Sequence, residues 1–86
     1  MKTNFQMLKD LLEVYHPQHR GVVTASEKDN IESILHLNEM DVLQLRNLRD
    51  FTVLFLSSKE DMESWDKMSA ITYVIDNKIF SNGGEV

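Results

Sequence analysis

Apolar residues recur at spacings of three and four along four stretches of this chain, and polar segments separate the stretches. Phe5, Leu8, Leu12 and Tyr15, with Leu11 beside them, make the first stripe. Such spacing places them on one face of an α-helix. Thr3 with Gln6 three residues on matches a capping box, in which each side chain satisfies the other's free backbone N–H. Pro17 ends the pattern, because the residue before a proline is pushed out of helical geometry. A first helix is predicted over 4–15, then a loop over 17–24 in which Gly21 is free to turn.

Ile31, Ile34 and Leu35, with Leu37 near the end, predict a second helix over 26–37. Thr24 with Glu27, and Ser26 with Asp29, both suit its N-terminus. Asn38 followed by Asp41 marks a fresh start, which makes residues 36–38 a corner. One continuous helix with Asn38 on its surface fits equally well. The third helix then reaches about Leu56. Met40, Leu43 or Leu45, and Leu48 are expected inward, with Arg46, Asn47 and Arg49 outward. Residues 51–56 are apolar on every side except Thr52, so this segment is expected at the centre of the fold or in a subunit interface. Ser57 with Glu60 reads as the next capping box, and Asp61 and Glu63 add favourable charge at a helix start. Trp65, Met68, Ile71 or Thr72, Ile75 and Ile79 carry the fourth helix to about Phe80. Ser81-Asn82-Gly83-Gly84 stops it and opens a flexible tail over 81–86.

From Val22 to Asn82 the chain has neither Gly nor Pro. Sheets need tight turns, and these favour residues that tolerate positive φ. Helices lose stability when they contain either residue. The predicted fold is therefore all-α, a single four-helix domain over 1–86 with a central third helix. The competing fold is a small α+β domain with a βαβ unit. Its strands would be 51–56 and 71–75, its crossover helix 57–70 and its third strand 21–24, since the first two are rich in β-branched and aromatic residues.

Composition narrows the function more by exclusion than by signature. There is no cysteine, which removes disulfides, thiol catalysis and thiolate metal sites and suits a reducing compartment. The first residues include Lys9, Asp10 and Glu13, unlike a signal peptide. The longest strictly apolar run is Val53 to Leu56, far below the ~20 residues of a membrane span. A cytoplasmic protein with no membrane association is expected. The net charge is −5 and the bases are scattered, so no direct nucleic-acid partner is expected. Arg46 and Arg49 hint at a recognition helix, but Asp41 and Asp50 flank them and would repel phosphate.

Three histidines, His16, His19 and His36, are the only candidate imidazole ligands, and Pro17 breaks the helix that would align the first two. No zinc-helix motif, nucleophile elbow or phosphate-binding glycine loop is present. No cofactor, no metal and no enzymatic activity are expected. The most suggestive surface is the run Glu60, Asp61, Glu63, Trp65 and Asp66. One reading is an acidic helix start with Trp65 in the core. The other is a partner-binding patch, a tryptophan anchor ringed by acids. A second acidic set comprises Glu27, Asp29, Glu32, Glu39 and Asp41. The five methionines read as core filler. Phe51, Leu54 and Phe55 are the expected seam of a homodimer, because so small a chain often completes its core by association. The expected function is a small acidic, non-catalytic protein-binding regulator or adaptor. The alternative is an acidic inhibitor or immunity-type protein that blocks a nuclease, toxin or other nucleic-acid-binding protein.

Overall fold

The computed structural model describes residues 2–17 and 22–84. Among these residues four helices follow one another: α1 (Asn4–Val14), α2 (Ala25–Ile34), α3 (Val42–Ser57) and α4 (Met62–Ser81), with a 3-10 turn at Leu37–Glu39 between α2 and α3. The candidate strands of the α+β alternative, 51–56 and 71–75, lie inside α3 and α4, so that alternative falls. The tendency of β-branched residues toward strands is a weak prior, and helical packing overrides it here.

Three of the four helices open with a complete capping box. Thr3 and Gln6 close one on α1, Thr24 and Glu27 one on α2, and Asp41 and Gln44 one on α3. The Ser26–Asp29 alternative is not used, since α2 has already begun at Ala25. Between α2 and α3 the chain turns a corner. His36 takes a left-handed conformation at φ 55°, and the 3-10 turn follows it directly. Leu37 is then driven into the core, and Asp41 rather than Asn38 caps α3.

The third and fourth helices pack along their length, α1 lies against α2 and α3, and α2 against α4, so α3 sits centrally between α1 and α4. The core gathers Leu8 and Leu11 from α1, Ile31 and Leu35 around α2, Leu45, Leu48 and Leu56 from α3, and Ile71, Val74, Ile75 and Ile79 from α4. Ion pairs tie the helices at the rim. Arg49 Nε lies 2.5 Å from Asp76 Oδ1 between α3 and α4, and Lys78 lies 3.7 Å from Glu32 between α4 and α2. Arg49 therefore faces a carboxylate of its own fold.

The segment 51–56 is not enclosed on all sides. Leu54 stands open to solvent at 73% exposure. The single polar residue of that segment, Thr52, is fully buried instead and donates its hydroxyl to the Leu48 carbonyl at 2.8 Å. A hydroxyl bonded back into its own helix needs no water, so it can occupy the core position. Leu43 likewise points outward, and Leu45 takes the inner place.

The fourth helix ends in a Schellman motif. Gly83 takes φ 85°, its N–H donates to the Phe80 carbonyl at 3.1 Å, and the Gly84 N–H donates to the Ile79 carbonyl at 2.9 Å. Of the expected 81–86 tail, Ser81 closes the helix and 82–84 form this cap; Glu85 and Val86 lie outside the described residues, as does the expected turn residue Gly21.

Candidate functional site

The N-terminus of α4 forms four residues later than the Ser57–Glu60 pairing predicts. α3 continues through Ser57, and the hydroxyls of Ser57 and Ser58 donate to the Leu54 and Phe55 carbonyls at 3.4 and 2.8 Å. Both serines thus serve the end of α3. The cap of α4 is Asp61, whose carboxylate accepts from the Ser64 N–H at 2.7 Å and the Ser64 hydroxyl at 3.1 Å. Those two bonds, the backbone one foremost, hold the Asp61 carboxyl below its ordinary pKa.

The acids of this region do not surround Trp65. Glu63 sits 3.2 Å from the Lys67 ammonium and 3.6 Å from His16. Lys67 is buried along α1, with its ammonium donating to the Leu12 carbonyl at 3.3 Å. A cation there satisfies one of the carbonyls left over at the end of α1 and suits the helix dipole. Asp61, Glu63 and Lys67 line a groove of about 550 Å³ with Lys9, Lys59 and Phe55. Positive and negative side chains are mixed there. On the helix, Glu63 and Asp66 lie about 160° and 100° around from Trp65.

The second acidic set is equally dispersed. Glu27 is buried at the α2 cap beside the Tyr15 phenol. Glu32 lies between Lys28 and Lys78, Glu39 approaches His36 at 3.5 Å, and Asp41 caps α3. No group of three His, Asp or Glu among the described residues converges as a metal would require, and His19 lies outside them.

Trp65 itself is 46% exposed, so it is not the core residue that the helical spacing suggested. Ser64 and Lys67 hold the inner positions of that turn instead, the lysine by burying its aliphatic stem. Trp65 belongs to an outward stripe with Met62, Ser69, Tyr73 and Phe80. These five fall within about 80° of helix surface, with the Arg49-paired Asp76 inside the same sector, and they span about 27 Å at the usual rise. The Cα body is 31 Å in its longest dimension, so the stripe runs nearly the length of the molecule. Tyr73 and Phe80 are more open still, at 58% and 74%. The inner face of the same helix carries Ile71, Val74, Ile75 and Ile79, so α4 is apolar on two opposite sides. A helix of that kind is usually covered on both. Tyr73 and Phe80 could have been found from the sequence by asking which apolar residues of the fourth helix its inner stripe leaves over.

The expected homodimer seam is divided. Phe51 and Phe55 stack on each other at 5.9 Å, and Phe5 of α1 meets them edge-on at 6.4 and 5.7 Å. The Lys59 ammonium covers Phe55 at 4.8 Å from the ring centre. Only Leu54 of the three is left open. A second depression of about 280 Å³ lies at the corner, floored by Met7 and Met40 and rimmed by Asn4, His36 and Asn47.

No helix among the described residues is long and apolar enough to cross a membrane. No protein-family model matches the chain, and no curated protein or solved structure does.

Proposed function

We propose that this chain is a small acidic, non-catalytic protein-binding regulator or adaptor that docks partners through the outer face of α4. The observation behind the reading is the stripe of Trp65, Tyr73 and Phe80, open to solvent along a helix whose other face is already in the core. From the surface of ordinary aromatic side chains, those three rings leave roughly 350 Å² exposed. Apolar patches of that order on a small protein often mark interaction sites. Tryptophan and tyrosine are also the residues that most often carry binding energy at protein interfaces. A reducing, cytoplasmic setting suits a chain without cysteine.

The competing inhibitor reading draws on the net charge of −5. Of the acids that would carry it, Asp61, Glu27 and Asp41 serve helix caps and Glu63 and Glu32 pair with lysines, so these five already have partners within the fold. Salt distinguishes the two readings. Contacts made through apolar rings survive high ionic strength, whereas contacts made through carboxylates are screened. The test is capture from nuclease-treated extract of the native cell, using tagged wild type and Tyr73→Asp. The adaptor reading expects a partner held through high-salt washing and lost from the variant. A partner released by salt and held equally by both proteins would overturn it.

A further inference from the structure

We infer that the outer face of α4 pairs two copies of this chain, antiparallel across a two-fold axis. The inference rests on the proposed reading of that face as a docking surface and names its occupant. When two identical helices pair antiparallel about a two-fold axis, residue numbers facing each other have a constant sum. Centred on position 71, the stripe is complementary to itself. Met62 meets Phe80 of the second copy, and Phe80 meets Met62. Tyr73 meets Ser69 twice, so each tyrosine ring lies over a small residue and the two ridges interdigitate there. Trp65 covers the short side chain of Asn77. The register also brings Asp66 near Asp76, and the Asp76 charge is already met by Arg49 at 2.5 Å within its own copy.

The area agrees. A specific interface buries at least about 1,000 Å² in total, and a two-fold contact counts the same patch twice. The three rings alone supply roughly 700 Å² on that basis. Met62, 59% exposed, and the flanks of a helix face about 27 Å long supply the remainder. Each copy carries −5, so the two repel at long range and pairing strengthens as salt screens them.

Sedimentation equilibrium from micromolar to millimolar protein tests the pairing. The expected result is a mass rising from 10.0 kDa to twice that, at lower concentration in higher salt. Tyr73→Asp and Phe80→Asp change exposed residues, so circular dichroism should be unaltered while dimerisation weakens by about thirtyfold or more, the size of a hot-spot loss. The register has its own test. Met62→Glu and Phe80→Lys should each give monomers, and the double variant should restore a dimer that salt now weakens. A wild-type mass fixed at that of one chain overturns the inference, as does a dimer indifferent to Tyr73→Asp and Phe80→Asp, or a double variant that stays monomeric. A monomeric wild type whose partner capture still needs Tyr73 would remove the second copy and leave the adaptor reading standing. A dimer that forms while no partner is captured through this face would do the reverse.

Discussion

Asp61 and Tyr15 are the two residues whose ionisation is coupled most visibly to the fold, one at each end of the pH scale. Asp61 is ionised at neutral pH and accepts two hydrogen bonds from Ser64, which depress its pKa below the ordinary 3.8. A carboxyl depressed in the folded state adds stability above its unfolded pKa and loses it as the pH falls through the folded value. Asp61→Ala should therefore lower the melting temperature at neutral pH, Asp61→Asn should recover the part that needs only an acceptor oxygen, and the remaining gap between wild type and D61N, which needs the charge, should close well below pH 3.8. Tyr15 behaves in the opposite sense. Burial first, and the neighbouring Glu27 carboxylate second, push its phenol from 10.0 up to about 12. A raised pKa means that this stabilisation is complete below pH 10 and disappears between 10 and about 12. Denaturant titrations through that window should show wild type losing stability faster with pH than Tyr15→Phe, and equal slopes would refute the coupling. Neither effect is legible from composition. Asp61 reads as one of several acids at a helix start, and nothing in the chain announces that Tyr15 and Glu27 meet.

At the scale of elements, the helix starts were more legible than the joins. The Thr3–Gln6 and Thr24–Glu27 boxes act within three residues, so local sequence is enough to place them. The join between α3 and α4 was harder, because a serine serves a helix C-terminus as readily as an N-cap. Ser57 and Ser58 bond backward to α3, while Asp61 competes for α4. Segment 51–56 misled in another way: a threonine bonded to its own helix is apolar in effect, and Leu54 shows that an apolar residue need not be covered. The end of α4 allows a test in which two adjacent glycines fail differently. A Cβ on Gly83 would touch nothing within 4 Å, so Gly83→Ala meets only the cost of left-handed backbone, about 1–2 kcal/mol. A Cβ on Gly84 would lie 2.7 Å from Ile79 Cγ2 and 2.9 Å from Val42 Cγ1, which forces the α3–α4 contact apart and costs about 1–3 kcal/mol as overpacking. Repairing the Gly83 position with Asn should recover part of its loss, since Asn tolerates that conformation. No small residue with a Cβ should recover Gly84. Chemical denaturation of the four proteins measures both, and a Gly84→Ala that melts with wild type would remove the close approach.

For the whole molecule, the architecture followed from periodicity because core helices repeat their burial every turn. The exposure of the outer face of α4 did not, because that helix carries apolar residues on both sides and periodicity alone cannot say which side faces in. The phase is set by partners distant in sequence: Lys67 fills an inner position by reaching the Leu12 carbonyl of α1, and that rotation turns Trp65 outward. Trp65 is the sole tryptophan, so it reports the state of this face directly. Two measurements follow from its half-exposed setting. Trp65→Ala should cost well under the ~3–5 kcal/mol of a tryptophan removed from a core, whereas Leu48→Ala, fully buried in α3, should cost ~2–5 kcal/mol. The fluorescence of dilute protein should lie near that of the unfolded chain, because water already reaches the indole. On concentration the emission should move to shorter wavelength in step with the doubling of mass, as Asn77 of the second copy covers the ring. Tyr73→Asp should abolish the shift while leaving the dilute spectrum unchanged. An emission maximum that is short at every concentration would mean that Trp65 is covered within a single copy, and the outer face of α4 would lose its anchor.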